Sequence, residues 1–147
     1  MGEQHWTPSI VEERLAEAAS VLARLPEVKV RGHFCAWPPV IQEAWEAAAC
    51  EIQLRRPPPS AAAIDRMDQA LTWLAWLDAT DTRIVWLRAN GERWKVVCSA
   101  VGLSRATAHR HWMYALCVIA CRLDGGCVPA RRSRQYLVER TLDGAKK

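Results

Sequence analysis

Prolines and glycines cut this chain into helix-length pieces, and this punctuation limits its fold more than any other feature. Proline lacks an N–H and clashes with a preceding helical turn, so it opens helices or ends them; glycine takes the left-handed backbone on which helices stop. Thr7-Pro8 reads as an N-cap followed by the first helical residue, and Pro26 closes the segment behind it. Ile10, Leu15, Ala18, Ala19, Leu22 and Leu25 fall near one face, which predicts a helix from Pro8 to about Leu25. Pro38 and Pro39 open a second helix, "WPPVIQEAWEAAACEI". Ser60 caps a third, "AAAIDRMDQALTWLAWL", with Ile64, Met67, Leu71, Leu74 and Trp73 on its apolar face. A fourth runs from Thr80 to Ala89 and stops at Asn90-Gly91. A short helix then ends before Gly102, and a long one spans about Ser104 to Leu123, ended by Asp124-Gly125-Gly126. Only "EVKVRGHFCA" alternates, and it is too isolated to argue for a sheet. The expected fold is all-α, a helical bundle.

"RRPPPS", a stiff extended connector, is the clearest boundary. It divides an N-terminal helical region (1–56) from a helical core (60–125), which a basic C-terminal tail follows (126–147). The tail carries one short apolar patch, Tyr136, Leu137 and Val138, and is expected to be flexible beyond the Gly-Gly break. Half of the 147 residues are hydrophobic, enough for a core, and there are eight Trp against two Tyr and one Phe. Trp73, Trp76 and Trp86 are expected to form a seam between the third and fourth helices, and Trp94 to pack in the core.

Several classes are set aside. No stretch approaches the roughly 20 apolar residues that span a bilayer, and the start has neither a basic end nor an apolar run. A cytoplasmic protein without membrane contact is expected. The six cysteines form no CxxC pair, and Cys117 lies two turns beyond His109, so buried thiols rather than a metal site are expected. Asp65 and Asp68, one turn apart, read as a solvated face. There is no P-loop, HExxH or Gly-rich phosphate loop, and Ser104 and His109 fall on different sides of one helix. The reading is therefore not an enzyme, with no cofactor and no metal.

The charge points elsewhere. Residues 1–78 hold seven Lys/Arg and eleven Asp/Glu, while residues 79–147 hold thirteen and five. A basic second half suits a phosphate backbone. Within it, "GLSRATAHRHW" has the parts of a helix-turn-helix, over about 80–123. Gly102 supplies the positive φ of the turn, Cys98 the small residue before it, and Val97, Val101 and Leu103 the apolar contacts. Ser104 caps the second helix, and its inward positions continue as Ala108, Trp112, Ala115, Leu116, Ile119 and Leu123. His111 falls where such motifs have an apolar residue, with Trp112 expected to take over that packing. Arg105, Ala106, His109 and Arg110 are left on the outward face, where a recognition helix touches bases. Arg93, Lys95, Ser104, Thr107, Arg131, Arg132 and Arg134 are the expected phosphate contacts.

The stretch "GERWKVVCSAVGLSRATAHRHWMYAL" resembles the region of bacterial sigma factors that reads the promoter −35 element, and related phage and response-regulator modules. The longer pattern "WTPSIVEERLAEAASVLARLP…WPPVIQEAW…RRPPPSAAAIDRM…WLAWL" is similar to an uncharacterised family of proteobacterial genomes and prophages. That resemblance implies DNA binding only through the helix-turn-helix, and no polymerase-binding region of a sigma factor has a visible counterpart. The expected function is sequence-specific double-stranded DNA binding, as a transcriptional regulator. The alternatives are a phage DNA-packaging subunit of the small terminase type and a helical protein-interaction module. The expected partners are duplex DNA and further copies of the chain, as a homodimer or higher homo-oligomer supported by the N-terminal helices with Trp6, Trp37 and Trp45. RNA polymerase or a phage packaging component would complete the set.

Overall fold

The structure, a computed structural model, describes residues 5–25, 57–128 and 133–144. The second helix candidate, Trp37, Trp45, Arg131 and Arg132 lie outside them. The described residues form α-helices and no strand. In chain order these are α1 (Pro8–Leu22), α2 (Ala61–Leu74), α3 (Ala79–Ala89), α4 (Trp94–Val101), α5 (Arg105–Leu123) and α6 (Arg134–Gly144).

Local chemistry accounts for where the helices begin. Thr7 Oγ1 accepts from the Ile10 N–H at 3.3 Å, Ser60 Oγ from Ala63 at 3.3 Å, and Ser104 Oγ from Thr107 at 3.3 Å. Asp78 Oδ1 accepts from Asp81 at 2.8 Å, which starts α3 one residue before the expected Thr80. Such a cap contributes about 1 kcal/mol. Gly102 closes α4 with φ 68°, and the N–H groups of Gly102 and Leu103 both reach Cys98 O, at 2.9 and 3.2 Å. The chain thus reverses between α4 and α5 over residues 102–104.

The main core joins α1, α2, α3 and the second half of α5: Val11, Leu15, Ala18 and Val21 meet Met67, Trp73, Val85, Leu116 and Ile119. Pro57–Pro59 therefore does not set α1 apart, and α1 spends its apolar face inside the bundle. Its buried stripe differs from the expected one. Val11 and Val21 are buried and Leu22 is exposed, because the step from Ile10 to Leu15 is five residues and leaves the stripe that Val11, Leu15 and Ala18 keep. On α2 the stripe is rotated by one residue, to Ala63, Met67, Ala70 and Trp73. The small alanines form the contact, while Ile64, Leu71 and Leu74 pack at its flanks.

The expected Trp seam is built differently. Trp73 pairs edge-to-face with Trp6, with centroids 5.4 Å apart and planes at 76°. The Asp124 carboxylate holds that N-terminal segment: it accepts from Trp6 N–H at 2.9 Å and pairs with His5 Nδ1 at 2.8 Å. Trp76 lies under the Arg122 guanidinium at 5.6 Å. Glu17 of α1 binds Arg66 of α2 at 2.7 Å, and that bond first of all holds its carboxyl below the usual carboxylate range.

The region read as a flexible tail contains α6. Leu137 is buried against Cys117 and Val118, so α5 loses its solvent-facing side over Ala115–Ala120. Burial raises the Cys117 thiol to about 11. Among the described residues no helix is long and apolar enough to cross a membrane.

The turn leaving α5 yields a stability prediction. A methyl on Gly126 would stand 2.7 Å from Cys121 Sγ and 2.8 Å from Cys121 O. The sulfur can rotate away, but the carbonyl is fixed by the helix. Gly126→Ala should lower stability by about 1–3 kcal/mol, read from urea midpoints at unchanged slope. Gly102→Ala meets open space and should cost about 1 kcal/mol, from the left-handed backbone alone.

Candidate nucleic-acid interface

The first turns of α5 are seated on a second, smaller core. Ile84 of α3, Val97 of α4 and Ala108 of α5 are each fully buried there, with Leu87, Trp94, Cys98, Val101, Leu103 and Trp112 around them. Ala108 has no bulk beyond Cβ, so α5 can lie close on its neighbours. With that side fixed, Arg105, Ala106, His109 and Arg110 are all exposed and line one shallow, open depression. The structure thus brings together the four residues expected to touch bases.

Their side chains are not equally free. His109 is exposed, yet its ring packs on Trp94 and Trp112, with centroids 5.5 and 5.4 Å away. Trp94 and Trp112 meet edge-to-face at 5.8 Å, and the Arg88 guanidinium covers Trp94 at 4.8 Å. Trp94 is therefore half-buried and consumed by packing. Arg110 donates from Nε to Ala106 O at 3.3 Å, which leaves its two terminal nitrogens as the outward donors. Among the described residues no carboxylate pairs with Arg105, Arg110, Arg93 or Lys95. Arg93 and Lys95 are exposed at the start of α4. Ser104 and Thr107 cap α5, with their hydroxyl oxygens 3.0 Å apart.

Arg134, half-exposed, lines an adjoining groove with Thr107, His109 and Arg110. Its guanidinium is 3.8 Å from the Asp78 carboxylate, 4.8 Å over the Tyr114 ring, and against His111. It pins α6 to α3 and α5, where the sequence suggested a mobile phosphate contact. Regular helix formation over residues 134–144 and burial of Leu137 bring it there.

Sequence reasoning missed the pair beneath it. Asp81, 2% exposed, lies 2.5 Å from His111 Nδ1, which ties α3 to α5. An ionised Asp81 only accepts, so Nδ1 carries the proton, and Arg134 then rests against the ring without a bond to that nitrogen. Burial raises the Asp81 carboxyl above the usual carboxylate range; Asp78 adds to this, while the His111 hydrogen bond and the charges of His111 and Arg134 oppose it. The only signal in the sequence was a histidine at a position facing inward. An acid in the first turn of a helix is too ordinary to mark its partner.

A family model described as a domain of unknown function (DUF6362) matches residues 23–119. The chain belongs to the DUF6362 family. No curated protein and no solved structure matches it. The DUF6362 match spans α2, α3, α4 and α5 as far as Ile119, so it includes the Arg105–Arg110 surface and the Asp81–His111 pair, while Arg134 and α6 lie beyond it.

Removing one partner of a buried pair exposes the cost of burying the other. His111→Ala should lower stability near neutral pH by about 3 kcal/mol, and Asp81→Asn by less. A raised folded-state value means that the folded chain holds this proton more tightly than the unfolded chain does. The stabilisation is complete below the ordinary carboxylate range and is lost as pH rises through the raised value. Asp81→Asn should therefore gain on the wild type as pH rises through that window. Parallel urea melts from about pH 3 to about pH 7 read this directly, and a constant difference between the two proteins would contradict it.

Proposed function

We propose that α4, the turn at Gly102 and α5 form a helix-turn-helix that binds double-stranded DNA sequence-specifically, and that the protein is a transcriptional regulator. One observation carries the reading: Arg105, Ala106, His109 and Arg110 form a continuous exposed surface on the first turns of a helix that is anchored from behind. An α-helix fits the major groove of B-DNA, and recognition helices read base edges from their N-terminal part. Ala115–Ala120 of α5 are core, so the reading end is held by burial rather than by a hinge. Arg93 and Lys95 flank the surface as phosphate contacts, Ser104 and Thr107 offer hydroxyls at the helix start, and the excess positive charge of residues 79–147 supplies attraction. Arg93 and Lys95 at the start of α4 and half-exposed Arg134 beside Arg110 are the described basic side chains that go with the phosphate role. A two-fold operator and a homodimer go with this reading.

A labelled random duplex titrated at two salt concentrations tests it. Binding should weaken steeply with salt. Arg93→Ala with Lys95→Ala should lower affinity about equally on all sequences and make the salt slope shallower by about 2. Arg105→Ala and Arg110→Ala should instead flatten the difference between a preferred and a scrambled duplex. Binding without preference would favour a DNA-packaging subunit. Absence of binding at low salt would favour a protein-interaction module.

A further inference from the structure

We infer that the α5 surface selects guanine and thymine over adenine and cytosine. The inference rests on the DNA-reading role proposed above. Guanine shows two acceptors in the major groove, N7 and O6, and thymine shows a methyl group. Adenine shows an acceptor beside a donor, which calls for the paired donor and acceptor of Asn or Gln; cytosine shows a donor, which calls for a carboxylate. The depression on α5 is lined by two arginines, one histidine and one alanine, and by no amide or carboxylate side chain.

The geometry gives each a part. Arg110 has its Nε bound to Ala106 O, so its two terminal nitrogens remain as a parallel donor pair, the arrangement that matches N7 and O6. Arg105 offers a second guanidinium at the helix start. His109, its ring packed on Trp94 and Trp112, can present an N–H at its open edge to a guanine acceptor. Ala106 is the one apolar side chain lining the depression, and its exposed methyl can meet a thymine methyl. Gln135 and Glu139, the nearby amide and carboxylate, stand on α6 and line the adjoining groove with Arg110 and Tyr114. A site with two G·C pairs and a T·A pair within or beside them is the pattern these four residues can read.

Selection of the full chain on a random duplex pool, followed by sequencing, gives the site; base analogues then test it atom by atom. Replacing a contacted guanine by 7-deazaguanine removes N7 and should weaken wild-type binding about tenfold, with no further loss in whichever variant, Arg105→Ala or Arg110→Ala, lacks the arginine that reads that guanine. Replacing the thymine by uracil removes only the methyl and should weaken the wild type severalfold, with no effect on Ala106→Gly. The analogue arms on wild-type protein stand even if a variant folds poorly. A selected site of A·T pairs alone, an adenine preference that disappears in Gln135→Ala, or indifference to both analogues would overturn the inference. Duplex binding with no enriched sequence would overturn it while leaving DNA binding in place. No binding at low salt would remove the reading on which it rests.

Discussion

Ala115 to Ala120 on α5 are buried without interruption, at 0–4% exposure. A surface helix buries one stripe, so burial around the whole circumference requires neighbours on every side. α1 and α3 cover one side and α6 the other. Everything else in the described structure depends on this. The same helix, about 28 Å long by the usual rise, emerges from the core at Trp112, and its first turns meet solvent. The exposed end cannot tilt independently of the bundle, because a rigid helix transmits its position from the buried half.

A polar seam limits rotation about that axis. Apolar packing is non-directional and tolerates small slides, whereas a buried carboxylate is satisfied only when its partner is in place. Asp81 on α3 meets His111 on α5, and Arg134 on α6 closes over both His111 and Asp78. His111 stands one residue from Arg110, so the contact that fixes the helix register is next to the surface it presents. Helix α6, which like α1 lies outside the DUF6362 match, thereby adds a lock to the Asp81–His111 pair, which lies inside it.

What could be read from the sequence divides along the range of the interaction. The caps Thr7, Ser60 and Ser104 and the Gly102 turn were legible, because a cap is a bond between residues three apart. The outward set Arg105, Ala106, His109 and Arg110 was legible for the same reason: one helix and its capping residue fix which positions share a face. The buried stripes of α1 and α2 were not, since two adjacent stripes were both apolar and the approach of small alanines decided between them. Tyr136, Leu137 and Val138 were visible as an apolar patch, but nothing local says that Leu137 docks between Cys117 and Val118. Trp6 on Trp73 and Asp81 on His111 join residues far apart in the chain, and each residue alone has an ordinary explanation.

The packing around His109 also bears on the energetics of the proposed reading. Ordering a long side chain at an interface costs roughly 0.5–1.5 kcal/mol. Trp94 and Trp112 hold the His109 ring in place, and the bond to Ala106 O restrains the Arg110 stem, so both have lost part of that freedom on folding. Arg105 has no described bond of this kind and would be ordered on contact. A surface of this kind is stiff at one end and adaptable at the other. Arg88, stacked on Trp94, belongs to the stiff part although it lies on α3, behind the surface. Trp94, one of eight tryptophans in a chain with one phenylalanine, then has a local rationale at this site: its large indole supports both the His109 ring and the Arg88 guanidinium.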